Sequence, residues 1–266
     1  MLTAEMLFDL SQYNHRLLFP QNKAVWTALH DLKGYLADLT YPAELYTGIN
    51  HGLMLQEHLV LYNQRLIAGS DCSISFGDTL KGGLIVQKDQ KTLDGASVIM
   101  AGAILIGDKI SIGKGTLVEG WATLKSPIVL GDCTEVRQGA YVRGNCLIGD
   151  RCVVGHTTEV KHSIFLDDAK AGHFAYLGDS ILGNNTNLGA GTKCANLRFI
   201  PGNVQVMYEK RLIDTGLRKF GAILGDHAQT GCNSVTSPGS IMGKHAVLMP
   251  NTTASSGYHP EKRRVR

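Results

Sequence analysis

Three residues near the middle of this chain have side chains that could do chemistry together: Arg143, Lys161 and His173. Arg143 and Lys161 directly follow Val142 and Val160 and are eighteen residues apart. Such cations commonly bind phosphate, and an imidazole, whose unperturbed pKa is close to neutral, can accept a proton from an attacking amine. The sequence therefore indicates an anion site with a base, if the fold brings the three together. Two solvated surface cations are the alternative interpretation.

A six-residue repeat is the element that must position them. Every sixth residue of one long run is Ile, Leu or Val: Ile106, Ile112, Val118, Leu124, Leu130, Val136, Val142, Ile148, Val154, Val160 and Leu166. A helix repeats near 3.6 residues and a half-buried strand at two, so neither produces a strict period of six. Three six-residue units that each turn a corner make a triangular coil, and stacked coils bury one aliphatic column. Eighteen residues make one coil, which predicts that Arg143 and Lys161 stack on one edge.

The repeat is interrupted twice. It slips between Leu166 and Leu182, resumes through Leu188, and stops again for a non-repeating stretch near 193–220. A weaker repeat then returns at the following positions: Leu224, Thr230, Thr236, Met242 and Leu248. His173 falls within the first slip, where a solenoid places residues other than its core. We predict an excursion loop near 193–220.

The two ends of the chain differ from the repeat. Apolar residues from Val25 to Leu39 have helical spacing, with Asn22 as a plausible cap and Pro42 beyond the end. The predicted division is a helical segment at 1–45, a β-helix domain at 46–258 and a basic, mobile tail at 259–266. Covering the open end of the solenoid is the simplest role for the helices.

Composition excludes several classes of function. A net charge of +3 gives no reason to expect nucleic acid as a partner, and the chain has no run of ~18 apolar residues that could cross a membrane. Its start lacks the pattern of a signal peptide, so we expect a cytoplasmic protein. The six cysteines form no CxxC pair and no zinc-like spacing with histidines, so we expect no tightly bound metal. Cys146 and Cys152 are predicted to face the core.

Two consecutive motifs carry a family resemblance: KAGHFAYLGD at 170–179 and GNNTNLGAGT at 183–192. With them, the chain resembles the C-terminal acetyltransferase domain of the bifunctional N-acetylglucosamine-1-phosphate uridyltransferase/glucosamine-1-phosphate acetyltransferase, over roughly residues 100–250. The segments ANLRF at 195–199 and TGLRKFGA at 215–222 resemble archaeal versions. The resemblance implies an all-β fold, a left-handed parallel β-helix of hexapeptide repeats with a small N-terminal helical segment. It also implies acetyl-CoA as co-substrate and a homotrimer with its sites between subunits.

The resemblance also assigns roles to residues. His173 matches the catalytic base, Arg143 and Lys161 match sugar-phosphate contacts, and the residues matching the acceptor and acyl pocket are Tyr176, Asn187 and Asn196. The positions assigned to the coenzyme are Ala190, Gly191 and Cys232. We add Lys219, in the excursion, as a phosphate-binding candidate and Arg263, in the tail, as a coenzyme contact. Structural roles for Tyr176 and Asn187, and solvated positions for Lys219 and Arg263, are the alternatives.

The chain also departs from that family. No glycine-rich phosphate loop opens it, so uridyl transfer is not expected; Leu197 follows Asn196 in place of a tyrosine, and 200–205 contains no lysine. The leading prediction is an N-acetyltransferase that acts on the amine of an amino-sugar 1-phosphate, with His173 as general base. One alternative is a non-catalytic subunit that binds a sugar phosphate or nucleotide sugar. The other is a zinc-dependent, carbonic-anhydrase-like trimer using His156, His162 and His173, although their spacing does not match that family's H-x4-H pair.

Overall fold

Short parallel strands joined by tight corners wind into a triangular prism, a left-handed parallel β-helix, which confirms the predicted fold class. The computed structural model describes residues 1–266, apart from the side chain of Tyr46. Three α-helices precede the prism: α1 (Ala4–Leu7), α2 (Thr27–Asp38) and α3 (Glu44–Thr47). Single turns of 3-10 helix lie at Arg16–Leu18, Gly69–Asp71 and Thr79–Lys81. None of the helices in this described part of the chain is long and apolar enough to cross a membrane.

Each flat side of the prism is one sheet. Face I consists of eight strands: Ile110–Ile112, Ile128–Leu130, Cys146–Ile148, Ser163–Phe165, Ile181–Leu182, Ala222–Leu224, Ser240–Met242 and Gly257–His259. Face II consists of nine parallel strands: Ser97–Ile99, Leu117–Val118, Glu135–Val136, Val153–His156, Lys170–His173, Asn187–Leu188, Gln229–Thr230, Val247–Leu248 and Arg264–Val265. Face III consists of eight strands: Ile104–Ile106, Thr123–Lys125, Tyr141–Val142, Glu159–Lys161, Tyr176–Gly178, Lys193–Cys194, Val235–Thr236 and Thr253–Ala254.

The predicted anchors form the aliphatic column inside the prism. Every anchor from Ile112 to Val160 is buried in it, together with Leu182, Leu188, Leu224 and Leu248. The predicted inward residue is wrong at each end of the run. Leu105 faces the column in place of Ile106, and Phe165 faces it in place of Leu166. Cys146 and Cys152 are fully buried in the column, as expected.

The predicted slip before Leu182 is present, but it shortens the coil without interrupting it. Ile148 pairs with Phe165 and Phe165 pairs with Leu182, so each of these coils has seventeen residues. Each coil loses its residue at the corner between faces III and I, where Phe165 follows Val160, and Leu182 follows Leu177, by five positions instead of six. The coil therefore continues without a break, and His173 lies at the end of a regular strand of face II.

The corners hold the backbone in the left-handed region, where φ is positive. At the corner between faces II and III these residues are Gly102, Trp121, Gly139, Thr157, Phe174, Gly191, Asn233 and Asn251. One such residue per coil lets the chain turn sharply and present the preceding residue at the same place on each level.

Helices α1 and α2 of the N-terminal segment cover face I rather than the open end of the solenoid, so the predicted role is wrong for these two helices. Their apolar residues, among them Leu7, Leu29 and Leu32, share one buried cluster with the outward side chains of face I. Those side chains are Val129, Leu147, Ile164, Ile181, Ile223 and Ile241. Each fully buried aliphatic side chain stabilises this contact by about 1.5–3 kcal/mol. Helix α2 begins at Thr27 with Trp26 at its N-cap position, so Asn22, which has a positive φ, does not cap it.

Helix α3 and the chain that follows it close the N-terminal end of the column, so the predicted role is correct for α3. Leu45 and Leu61 are buried against it, and the hairpin of Leu59–Tyr62 and Arg65–Ala68 pairs antiparallel with the first strand of face II. A separate antiparallel sheet follows, made of Ser73–Ser75, Ile85–Lys88 and Lys91–Thr92. At the other end, the tail is not mobile: Arg264 and Val265 pair with Val247 and Leu248 and complete the last coil.

One excursion leaves the prism. The chain departs from face III after Cys194 and rejoins face I at Ala222, and Ile181 pairs with Ile223 across the gap. Within the excursion, Gln205–Tyr208 and Arg211–Asp214 form a hairpin. Phe220 donates a backbone hydrogen bond to the Asn196 carbonyl at 2.9 Å, which brings the two ends of the excursion together. The predicted division at 45 and 258 stays a prediction.

Candidate functional site

Four candidate residues lie on the corner between faces II and III. The Phe174 amide donates to the His156 carbonyl at 2.9 Å, Gly191 to His173 at 3.0 Å, and Asn233 to Ala190 at 2.8 Å. His156, His173, Ala190 and Cys232 therefore occupy the same corner position on successive coils. The His173 ring is exposed, and in the described part of the chain its imidazole has no hydrogen bond; the Phe174 ring lies 6.3 Å away.

A ladder of glycines runs beside this corner. Gly155, Gly172, Gly189 and Gly231 precede the four corner residues and lie in register on the outer side of face II. A Cβ on Gly155, Gly189 or Gly231 would overlap the backbone of the next coil, whereas one on Gly172 would meet nothing within 4 Å. The ladder leaves a shallow groove floored by backbone, and a ligand could approach the chain closely there.

Face III carries the polar side chains that adjoin the corner. Tyr141, Glu159, Tyr176 and Lys193 are aligned on four consecutive coils. Arg143 and Lys161 follow the inward residues Val142 and Val160 and stack one coil apart, as the period predicted. Burial raises the pKa of Tyr176, so its hydroxyl stays protonated and can donate a hydrogen bond.

Both cations of the predicted anion site already have carboxylate partners. Arg143 Nη1 lies 2.6 Å from Glu159 Oε1, and its guanidinium is 5.9 Å from the centre of the Tyr141 ring. Lys161 Nζ lies 3.2 Å from Asp179 Oδ2. The Arg143 pair is exposed and adds little stability, whereas the Asp179 side chain is only 7% exposed. The four groups together have no net charge.

Asp179 is a functional candidate that the sequence did not single out. Its carboxylate accepts hydrogen bonds from His162 Nδ1 at 2.9 Å and Asn196 Nδ2 at 2.5 Å, besides the contact with Lys161. Burial opposes its ionisation, but these hydrogen bonds and the Lys161 charge outweigh burial and lower its pKa. Asp179 stands in the motif at 170–179, yet only the strand register shows which side chains converge on it.

The structure brings most of the predicted residues to one side of the prism. His173, Ala190, Gly191 and Cys232 line the corner. The neighbouring face III carries the predicted acceptor residues Arg143, Lys161 and Tyr176, and Asn196 lies next to it at the start of the excursion. Tyr176 Oη donates to Asn196 Oδ1 at 3.5 Å. Lys219 is exposed at the base of the excursion, where it bridges to Leu197 beside Asn196.

Two predicted residues lie elsewhere within the chain. Asn187 is exposed at the opposite end of its face II strand, in register with Lys170 and Gln229. Arg263 lies in the last coil before Arg264–Val265, on the corner between faces I and II. Arg263 is therefore not on the corner that carries the three coenzyme candidates.

The three histidines of the zinc alternative do not converge. His156 and His173 are in register on one corner, whereas His162 lies on the corner between faces III and I and binds Asp179. Among all residues whose side chains are described, no group of three or more His, Cys, Asp or Glu could hold a metal ion.

The chain shares sequence with longer proteins. It is 38% identical over 93 residues to a bifunctional sugar-1-phosphate nucleotidylyltransferase/acetyltransferase of Sulfurisphaera tokodaii, a match covering 35% of this chain and 23% of that protein. It is 39% identical over 89 residues to the bifunctional protein GlmU of Methanococcus maripaludis, covering 34% and 21%. The chain thus spans less than a quarter of either relative. These matches confirm the resemblance predicted from the motifs.

Solved structures are more distant. The UDP-N-acetylglucosamine acyltransferase of Francisella novicida superposes with a TM-score of 0.29 at 16% identity, over 59% of this chain and 58% of that one. The acetyltransferase domain of PglB from Neisseria gonorrhoeae, in complex with acetyl coenzyme A, gives 0.27 at 12% identity, over 64% and 57%.

One family covers the region of the site. The family described as the GMPPB C-terminal domain matches residues 124–258, slightly more than half of the chain. That range contains every candidate site residue except Arg263. The chain belongs to the family of the GMPPB C-terminal domain.

Proposed function

We propose that this protein transfers an acetyl group from acetyl-CoA to the amine of an amino-sugar 1-phosphate, with His173 as the general base. The observation that carries the proposal is the alignment of His173 with Ala190 and Cys232 on one corner, beside the face that holds Arg143 and Lys161. A coenzyme along the glycine ladder and an acceptor on face III would meet at His173. The acetyltransferase named in the Sulfurisphaera relative supports the reaction class.

The proposed reaction needs one proton acceptor and no covalent enzyme intermediate. His173 takes a proton from the acceptor amine as its nitrogen attacks the thioester carbonyl. The carbon–nitrogen bond forms, the carbon–sulfur bond breaks, and the proton passes to the leaving sulfur to give free coenzyme A. Arg143 and Lys161 contact the phosphate, and the Tyr176 hydroxyl and the Asn196 amide line the acceptor side.

A second candidate is a binding subunit that takes the same sugar phosphate or a nucleotide sugar without reacting. Two observations favour it: both cations are already paired with carboxylates, and His173 lacks a hydrogen-bonding partner that would orient its ring.

An enzyme built on this chain would gain a partner for His173 from a neighbouring copy, so the first proposal includes a homotrimer with sites between subunits.

The test is release of free thiol from acetyl-CoA in the presence of a panel of amino-sugar phosphates, with glucosamine-1-phosphate first. The matched control for His173→Ala is His245→Ala, an exposed histidine on the corner between faces I and II. We expect turnover to fall by at least about 100-fold in His173→Ala, which is typical for loss of a general base, and to persist in the control.

Each other outcome has a meaning. Coenzyme binding without turnover on any acceptor of the panel would point to a different acceptor, whereas sugar-phosphate binding without coenzyme binding would favour the binding subunit. If neither acetyl-CoA nor a sugar phosphate binds to the wild-type protein, both candidate functions are wrong. Equal turnover in His173→Ala and wild type would remove His173 from the mechanism.

A further inference from the structure

Asp179 lies where face III turns into face I, with its backbone at a φ of +51°. Its nearly buried carboxylate receives side-chain contacts from three places: Lys161 on face III, His162 on the same corner one coil earlier, and Asn196 at the start of the excursion. A carboxylate removed from water is costly unless donors surround it, so these contacts explain how it is tolerated. They do not explain why a charge is present at this point.

The backbone of Asp179 is hydrogen-bonded to face III and to the end of the excursion. Its amide donates to the Lys161 carbonyl at 2.9 Å, and its carbonyl accepts from Gly221, the last residue of the excursion, at 2.8 Å. Asn196 Oδ1 in turn accepts from Tyr176, so both ends of the Asn196 amide are fixed. A chain of contacts therefore crosses face III from Lys161 through Asp179 and Asn196 to Tyr176.

We propose that Asp179 is a positioning residue of the acceptor site: it holds the Lys161 ammonium and the Asn196 amide in the arrangement that receives the acceptor's phosphate. This inference rests on the proposed function. Asp179 cannot contact a phosphate itself, because both are anionic, so it acts through Lys161. A lysine ammonium sits on a flexible four-carbon stem with three donors. Fixing one donor on Asp179 leaves two for a ligand and removes the freedom of the stem.

The first readout needs no substrate. The reactivity of the Lys161 amine is measured in wild type and in Asp179→Asn. Each protein is treated with an amine-reactive acetylating ester, and the rate of acetylation at Lys161 is followed by peptide mass spectrometry. We expect that rate to rise about 10-fold in Asp179→Asn, because the Lys161 side chain is no longer held against a nearly buried carboxylate and can move into solvent, where the reagent reaches it. Lys193, which donates to the Gly191 carbonyl, serves as the internal reference. An unchanged Lys161 rate would overturn the proposal.

Asp168→Asn is the matched control variant. Asp168 lies on the corner between faces I and II, and its backbone also has a positive φ. Its carboxylate pairs with the Arg151 guanidinium at 2.9 Å. It therefore loses an ion pair of the same kind away from face III. We expect the Lys161 rate in this variant to equal that of wild type; a similar rise in both variants would show a general loosening of the coil and contradict the proposal.

The second readout is steady-state kinetics with acetyl-CoA and glucosamine-1-phosphate. We expect Asp179→Asn to raise KM for the sugar phosphate about 10-fold and to leave kcat and KM for acetyl-CoA within about twofold, with partial rescue by Asp179→Glu. Equal losses for both substrates would show that Asp179 only maintains the fold. A lower KM for the sugar phosphate would show that its charge repels the ligand, and either result would overturn the proposal. Wild-type inactivity would contradict the proposed function alone, since the acetylation rates still decide whether Asp179 fixes Lys161.

Discussion

At the scale of single residues, the acceptor side of the site depends on a glycine that carries no functional group. Gly178 follows the inward residue Leu177 on face III and lies in register with Lys161. A Cβ on Gly178 would overlap the Asn196 amide and would lie 2.7 Å from the Tyr176 hydroxyl. The close approach of these two polar side chains therefore requires the absence of a side chain between them.

Gly178→Ala separates this local effect from stability. Both overlapping atoms belong to side chains rather than to backbone, so we expect the free energy of unfolding to fall by only about 1–2 kcal/mol, mostly because Asn196 would lose its hydrogen bond to Asp179. Displacing Tyr176 and Asn196 should raise KM for glucosamine-1-phosphate about 10-fold, since small displacements of positioning groups are costly. Urea denaturation and thiol-release kinetics measure the two quantities. Unchanged kinetics in a stable Gly178→Ala protein would remove the Tyr176–Asn196 pair from the site.

Some of the site was predictable from single residues and some was not. Arg143 and Lys161 could be placed together because their separation equals one coil and both follow an inward valine. Glu159 and Asp179, which neutralise them, could not be recognised, because pairing across coils depends on where the corners fall. The sequence therefore predicted a positive site, whereas the structure shows a charge-balanced one.

At the scale of strands and corners, the glycine ladder combines a constraint on folding with a constraint on binding. Gly155 and Gly172 are neighbours in register on face II. A Cβ on Gly155 would overlap the Gly172 backbone, which cannot move without opening the coil, whereas Gly172 faces open space. The two positions therefore differ in what an added methyl group would disturb.

The pair Gly155→Ala and Gly172→Ala tests this difference. We expect Gly155→Ala to lower the free energy of unfolding by about 3 kcal/mol, the range of severe overpacking, and Gly172→Ala to change it by less than about 0.5 kcal/mol. Because the Gly172 methyl would stand in the proposed coenzyme groove beside His173, KM for acetyl-CoA should rise severalfold in that variant. Denaturation and thiol-release kinetics are the measurements. Normal coenzyme kinetics in Gly172→Ala would place the coenzyme away from the ladder.

At one strand, the six-residue period predicts the wrong inward residue. Phe165 and Leu166 are adjacent and both buried, one inside the prism and one beneath the N-terminal segment, so hydrophobicity alone could not identify the inward residue. The cover on face I did leave a signal. Strands such as Ile128–Leu130 and Cys146–Ile148 are apolar at outward as well as inward positions, which is typical of a sheet buried on both sides.

At the scale of the whole molecule, the faces of the prism differ in what covers them. Face I is covered by the N-terminal segment and by part of the excursion, and the first coils of face II are covered by the antiparallel sheet, which leaves the rest of face II and face III for contacts with other molecules. Large apolar side chains are exposed on the excursion beside face III: Phe199 is fully exposed, Ile200 is 67% exposed and Leu212 is 57% exposed. They border a groove of about 600 Å³ between the excursion and face III. Contiguous exposed apolar surface of this kind marks contact sites.

In the proposed homotrimer, these exposed apolar side chains would pack against the next copy of the chain. The same packing would bring that copy to the corner of His173. We expect light scattering on a size-exclusion column to show a trimer for wild type and smaller species for the double variant Phe199→Ser, Ile200→Ser, since buried aromatic anchors dominate such interfaces. Leu17→Ser is the control, because Leu17 is 86% exposed on the N-terminal segment, away from the excursion. A monomeric wild type would contradict the trimer, and with it any site shared between copies. A double variant that stays trimeric would place the interface on another surface, and His173 would then have to act within one chain.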